Sequence, residues 1–232
     1  MKSIDKIDGT FGKKQSEAKI NVSSAVIRRL PRYHRCLGDL LRQNKLRTSS
    51  AELAKLMNAT ASQIRQDLNC FGGFGQQGYG YNVKFLYGKI SELLGVEEGY
   101  NAVIVGAGNL GKALAATHMF ERRGVNRLAM FDVDPSIIGT SIYGVPVHSI
   151  NELGSFCREH NVHIGVLTVP KEAAYEVTDV LVSSGVTGIW NFANMELRLD
   201  NPDIVVENIH LGDSLMALCY EIKTVNEKRN KK

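Results

Sequence analysis

A short apolar run, Val103-Ile104-Val105, stops at Gly106-Ala107-Gly108-Asn109-Leu110-Gly111 and gives way to the helix-favouring Lys112-Ala113-Leu114-Ala115-Ala116. A strand, a tight turn and a helix N-terminus need this Gly-x-Gly-x-x-Gly spacing when they hold a pyrophosphate. Gly106 permits the turn, Gly108 lets the backbone approach the phosphates, and Gly111 lets the helix pack on the strand. The phosphates would lie at the positive end of the helix dipole, on N–H groups without partners inside the helix. Such a turn belongs between the C-terminal end of a strand and the helix that follows it, so it constrains the fold more than any other stretch.

The sequence that follows supplies the sheet. A helix is expected from Asn109 to about Arg123, then a strand at Leu128-Ala129-Met130-Phe131-Asp132 and a short third strand at Val145-Pro146-Val147. Residues 149–161 read as helix, His163 to Val169 as strand, Ala173 to Ser184 as helix and Val186 to Asn191 as strand. Strands alternating with helices predict an α/β protein, here a doubly wound parallel Rossmann domain over residues 101–208. Asp132 ends the second strand, 21 residues past Gly111. A carboxylate there takes the adenosine ribose hydroxyls and repels a 2′-phosphate, which favours NAD(H) over NADP. Asp134-Pro135 reads instead as an N-cap followed by proline at the first helical position. Thr168-Val169-Pro170 and Asn191-Phe192-Ala193 end two strands on the side where ligands bind and offer mostly apolar groups. A related domain with a site for another nucleotide, such as coenzyme A, is the alternative.

The part of the chain before the glycine turn has a different charge. The net charge is +4, yet residues 1–95 hold 16 Lys+Arg against 7 Asp+Glu, and residues 96–232 hold 12 against 17. A basic first part joined to an acidic second part points to a polyanion partner for the first alone. Residues 1–22 are polar and aperiodic and read as a flexible arm. Residues 23–95 read as a DNA-binding domain. A helix is expected from Ser23 or Ser24, with Ile27, Leu30, Leu37, Leu40 and Leu41 at helical spacing and Pro31 ending a first turn or kinking it. Ser49-x-x-Glu52 and Thr60-x-x-Gln63 are two capping-box patterns, each opening a short helix. Two short capped helices so close together make a helix-turn-helix, whose second helix enters the major groove. Its outward side chains would be Ser62, Gln63, Arg65 and Gln66, with Ile64 and Leu68 in the core. Gln suits adenine edges, and Arg suits guanine edges or phosphate. The glycine- and aromatic-rich run from Phe71 to Tyr81 reads as a β-hairpin wing with Gln76 and Gln77 at its tip. An amphipathic helix from Val83 to Leu94 follows, and Glu97-Glu98-Gly99 links the domains.

The last stretch, Leu211 to Lys223, is an amphipathic helix with no sheet face left to cover, so another subunit is its natural partner. Cys36, Cys70, Cys157 and Cys219 lie far apart and read as buried thiols, with no metal site. No apolar run is long enough to span a membrane, and Met1 to Lys6 lacks the apolar stretch of a signal peptide, so a cytoplasmic protein is expected. A dehydrogenase needs an acid or base beside the nicotinamide and usually a separate substrate domain. About 40 residues follow the last expected strand, and His118, His148, His160, His163 and His210 show no carboxylate partner in sequence. No catalytic residue is therefore assigned.

From about residue 24 to 223 the chain resembles the Rex family of redox-sensing transcriptional repressors. The resemblance rests on Arg29-Leu30-Pro31-Arg32-Tyr33, Thr48-Ser49-Ser50, Ile64-Arg65-Gln66-Asp67-Leu68, Phe71-Gly72 and Gly78-Tyr79-Gly80-Tyr81. It continues through the glycine motif, Phe131-Asp132-Val133-Asp134-Pro135, Leu167-Thr168-Val169-Pro170 and Asn191-Phe192-Ala193. It implies a winged-helix domain on a Rossmann domain, a homodimer joined by a swapped C-terminal helix (residues 209–232 here), and an inverted-repeat operator released when NADH binds. It adds Arg29, Arg32, Ser49, Ser50 and Tyr79 to the DNA-facing set. It also implies a redox-dependent polar network. Arg35 retains that network's arginine, but Thr117 and His210 stand where better-known members have a tyrosine and an aspartate, and Leu211 where an aromatic reaches towards the nicotinamide. A histidine cannot supply the fixed negative charge that would pair with Arg35. Two other readings stay open at this point: a small NAD-dependent oxidoreductase with an appended interaction domain, and a DNA-binding sensor of another nucleotide.

Overall fold

A computed structural model describes residues 23–70, 75–76 and 80–230, the pair 75–76 by backbone alone. The arm at 1–22, Phe71, Gly72, Gln77, Gly78 and Tyr79 lie outside the described residues, as does the side chain of Gln76. The chain divides into two compact units between Leu94 and Gly95.

The first unit holds α1 (Ser24–Ile27), α2 (Leu30–Arg42), β1 (Arg47–Thr48), α3 (Ser50–Leu56), α4 (Ala61–Asn69), β2 (Gly75–Gln76), β3 (Gly80–Asn82) and α5 (Val83–Leu93). Pro31 separates α1 from α2 by standing in the first turn of α2, where its missing N–H costs nothing. Ser49 and Thr60 cap α3 and α4, their hydroxyls accepting from the amides of Glu52 and Gln63 at 3.1 Å each. Leu30, Tyr33, Leu37, Leu53, Ile64, Leu68, Val83, Leu86 and Ile90 form the core between the helices. A small antiparallel sheet in the order β1-β3-β2 flanks them. Gly80 has φ +69°, and a Cβ there would stand 2.5 Å from the Thr48 carbonyl oxygen, so only glycine lets β3 lie this close to β1.

The second unit holds β4 (Tyr100–Val105), α6 (Asn109–Ala115), β5 (Val125–Asp132), β6 (Ser141–Ile142), β7 (Val145–Ser149), α7 (Leu153–Glu159), β8 (Ile164–Leu167), α8 (Lys171–Ser183), β9 (Gly188–Asn191), β10 (Val205–Asn208) and α9 (Leu211–Asn230). The sheet order is β10-β9-β8-β4-β5-β7-β6, parallel throughout except for the β6–β7 hairpin. The strand order reverses between β4 and β8, which is where doubly wound sheets open a crevice for ligands. Val103, Val105 and Phe131 pack against α7 and α8 on one face, and Ile104, Met130 and Val166 against Ala115 and Phe120 on the other. The α/β fold expected from sequence is the fold observed.

Four expectations need correction. The helix after the glycine turn ends at Ala115 rather than near Arg123, because the Thr117 amide closes a tight turn on the Leu114 carbonyl and a 3₁₀ turn follows at Glu121–Arg123. Asp134-Pro135 opens only a turn, with the Asp134 carbonyl accepting from Ile137 and Ile138. Strand β10 has no counterpart among the expected strands. Of the cysteines only Cys157 is buried, and that burial raises its thiol to about 11; Cys70 and Cys219 are exposed. Among the described residues no helix is long and apolar enough to cross a membrane.

Candidate ligand and nucleic-acid sites

The glycine turn is held by close approach. Gly106 has φ +100°, and a Cβ on it would meet the Thr168 carbonyl oxygen at 2.7 Å. A Cβ on Gly111 would stand 2.0 Å from the Gly106 carbonyl oxygen. The Thr168 hydroxyl donates towards the carbonyls of Gly106 (2.7 Å) and Val105 (3.0 Å), so it braces the turn from beneath. Gly108 differs, since a Cβ there would meet nothing within 4 Å. Gly108 is the N-cap of α6, so a side chain there would stand in open space at the N-terminus of that helix.

Asp132 closes the same corner. Its Oδ2 accepts from the Ala107 amide at 2.5 Å, and its Oδ1 accepts from Val133 and Asp134 at 2.7 and 3.0 Å. An ionised carboxylate offers about four lone-pair sites, so about one on Oδ2 remains, enough for one ribose hydroxyl. Residues and ligand class therefore fit. Asp134 serves the backbone, as expected, accepting from the Ser136 amide at 2.8 Å.

At the ends of β8 and β9 the sequence-predicted residues divide. Val169 and Phe192 are half-buried and Pro170 is exposed at the start of α8. The Phe192 ring packs edge-on against Trp190, with centroids 4.7 Å apart. Asn191 is fully buried and bonded to the protein, its Oδ1 accepting from Ala193 and its Nδ2 donating to Met195 and Asn208. Both ends of its amide are thus engaged within the protein.

In the first unit, Ile64 and Leu68 of α4 are buried, while Ser62, Arg65 and Gln66 are exposed together on its outer side. Arg65 Nη1 donates to the Ser50 hydroxyl at 3.2 Å, which brings the start of α3 beside α4. Ser49 and Arg32 are exposed as well. Arg29 and Gln63 are placed differently from expectation, because both turn towards Asp67. Arg29 donates through Nε to Oδ2 and through Nη2 to Oδ1, each at 2.7 Å; Tyr33 donates to Oδ2 at 2.9 Å and Gln63 to Oδ1 at 2.8 Å. The four acceptor sites of that carboxylate are filled. Burial works to raise the Asp67 carboxyl, but the hydrogen bonds from Arg29, Gln63 and Tyr33 outweigh it and hold the group below the usual carboxylate range. Burial, and then the bond to Asp67, push the Tyr33 phenol above its usual range. Asp67 is the residue that sequence reasoning missed. Its signal was a charge at i+3 from Ile64 and i−1 from Leu68, on a buried stripe where a carboxylate must find partners.

Two histidines do have carboxylates beside them. His210 Nε2 lies 3.0 Å from Glu196 and His148 Nδ1 lies 3.3 Å from Glu152. Glu196 comes from the loop after β9, a neighbour that sequence distance conceals. Arg35 is exposed on α2, Thr117 is exposed past the end of α6, and Leu211 is 63% exposed at the start of α9. No residue of α9 is buried, although Leu215, Met216, Leu218, Tyr220, Ile222 and Val225 are apolar.

Comparison with known proteins fits these two units. Residues 21–69 match the family model for a DNA-binding protein N-terminus, and residues 97–195 match the model of the CoA binding domain. The redox-sensing transcriptional repressor Rex of Clostridium botulinum (strain Alaska E43 / Type E3) is 50% identical over 87% of this chain and 96% of its own. The Rex repressor of Caldicellulosiruptor saccharolyticus is 50% identical over 90% of this chain and 94% of its own. Among solved structures, the Rex-family repressor RSP in complex with β-NAD⁺ and operator DNA superposes with a TM-score of 0.83, at 46% identity over 90% of this chain and 96% of that one. RSP in complex with β-NADH gives the same TM-score at 43% identity, over 91% of this chain and 99% of that one. With half its residues shared over nearly its whole length, the chain belongs to the Rex family of redox-sensing transcriptional repressors.

Proposed function

We propose that this chain represses transcription as a homodimer that binds an inverted-repeat operator and releases it when NADH occupies the second unit. The observation that carries the reading is the pairing, in one chain, of a braced glycine turn with a helix-turn-helix whose second helix turns Ser62, Arg65 and Gln66 outward. Gly106 to Gly111 hold the pyrophosphate, Asp132 takes a ribose hydroxyl, and Thr168 keeps the turn in shape. Val169, Pro170 and Phe192 offer an apolar surface to the nicotinamide. Oxidised nicotinamide carries a positive charge and reduced nicotinamide does not, so an apolar surround penalises NAD⁺ and favours NADH. NADH then shifts the population towards the dimer it binds better, by the difference in affinity and no more.

The nucleotide is a signal here, and the chain is not an enzyme. The histidines that have carboxylates are partnered by Glu196 and Glu152 in half-exposed pairs. The exposed apolar side chains of α9 are what a second copy covers, and two copies present two recognition helices to half-sites spaced by whole turns of DNA. Arg32, Ser49, Ser50, Ser62, Arg65 and Gln66 meet the DNA, and Gln76, Gln77 and Tyr79, which lie at or beyond the limit of the described residues, are assigned to the same contact from sequence. Arg29 and Gln63 act through Asp67. The protein works in the cytoplasm.

Fluorescence anisotropy of an inverted-repeat duplex tests this directly. The protein binds the duplex without nucleotide, NADH releases it, and NAD⁺ at equal concentration releases it far less. Operator binding indifferent to NADH would overturn the reading. Steady consumption of NADH with a small substrate would favour the oxidoreductase instead.

A further inference from the structure

The loop 192–197 leaves the ligand end of β9 and is tied to the residues that lead into α9. Asn191 is the hub. Its carbonyl accepts from the Ile209 amide at 2.8 Å and its Oδ1 from the Ala193 amide at 2.9 Å. Its Nδ2 donates to the Met195 carbonyl at 3.0 Å and to Asn208 Oδ1 at 2.7 Å. Asn208 grips the far end of the loop, its Oδ1 accepting from the Leu197 amide at 3.0 Å and its Nδ2 donating to the Leu197 carbonyl at 3.1 Å. Outside this clasp Glu196 meets His210, the residue directly before α9. Asn208, Ile209 and His210 are thus each bonded to the loop or to its hub. The loop begins at Phe192, at the ligand end.

A hydrogen-bonded loop whose donors and acceptors pair at both ends transmits a displacement rather than absorbing it. Asn191 is fully buried, so each bond it makes would leave an unpaired polar group if broken. Moving Phe192 must therefore strain the clasp or carry residues 208–210 along, and with them the root of α9. The Glu196–His210 pair is 51% and 29% exposed, so it adds little to stability and serves to set the direction of the chain entering the helix.

We infer that loop 192–197 is the latch coupling nicotinamide occupancy to α9, with Asn208 and Glu196 as positioning residues that touch neither ligand nor DNA. The inference rests on the function proposed above. Its measure is the coupling ratio, the operator Kd at saturating NADH divided by the operator Kd without nucleotide.

Glu196→Ala removes an exposed side chain. It leaves the NADH Kd, the nucleotide-free operator Kd and the unfolding temperature close to wild type, while the coupling ratio falls about 3-fold. Asn208→Ser removes the clasp and lowers the ratio about 10-fold. A wild-type ratio in Glu196→Ala, with both affinities intact, overturns the latch. So does a parallel loss of both affinities at unchanged ratio, which marks a purely structural role. A ratio of one in the unaltered chain overturns the proposed function itself, a result distinct from either.

Discussion

The two units hold their sites by opposite means. In the first, a buried charge fixes the helix α4: Asp67 accepts from Arg29, Tyr33 and Gln63 and locks α4 against α2. In the second, no charge fixes the turn itself except the grip of Asp132 on one amide, and sterics do the rest. Gly106, Gly111 and Thr168 fit together with no room for a methyl group. The first site should therefore be sensitive to charge and pH, and the second to the addition of a single carbon. If the division is sound, each kind of damage stays within its own unit.

The sharpest way to break the comparison is Gly111→Ala. The new Cβ would overlap the Gly106 carbonyl, so the turn or the helix must move. Overpacking of this kind costs about 3 kcal/mol, which weakens NADH binding roughly 100-fold. A fluorescence titration reads that loss, and operator binding without nucleotide should persist.

Asp67→Ala comes next. It strands Arg29 and Tyr33 and should cost the first unit about 3 kcal/mol, the lower end for a broken buried pair because the Arg29 side chain is 35% exposed. Thermal unfolding measures the loss, and NADH affinity should hold. The same network sets a pH dependence. The folded carboxyl lies below its ordinary 3.8, so its stabilisation is complete above that value and is lost as pH falls through the folded value. The first unit of the unaltered chain should therefore hold this stabilisation down to about pH 4 and lose it progressively as the pH falls further, and Asp67→Asn should flatten that slope. An equal slope in both proteins would remove Asp67 as its source.

Arg65→Ala is smaller. The side chain is exposed and, among the described residues, bonded to Ser50 alone, so the fold should stand while operator affinity falls about 10-fold. Any change in NADH affinity would contradict the separation of roles. Smallest is Thr168→Val, which removes the brace under Gly106 and should weaken NADH binding by about 1 kcal/mol, roughly fivefold. Unchanged binding would mean that backbone sterics alone hold the turn.

Much of this was legible in the residues. The glycine spacing, the two capping residues and Pro31 each act through local backbone chemistry, and each stands in the structure where that chemistry puts it. The legible part ends where partners come from far along the chain. Asp67 and Arg29 are 38 residues apart, and nothing local told whether Arg29 would face DNA or a buried carboxylate. Asn191 sits beside Phe192 at a strand end, so it resembled a ligand contact until Asn208 was seen to engage it. That partner lies on β10, a four-residue edge strand with no fully buried residue and so no firm apolar alternation to betray it. Glu196 was hidden in the same way, 14 residues from His210 with β10 between them.

The central claim is that the glycine turn and the outward face of α4 report on one another, and linkage offers its most direct test. If NADH lowers operator affinity by some factor, the operator must lower NADH affinity by that same factor. The measurement is the NADH Kd of the full chain with and without saturating inverted-repeat duplex at fixed salt. NADH should bind more weakly on DNA, by the factor found in the operator titration. An NADH Kd that is identical on and off the operator would contradict it.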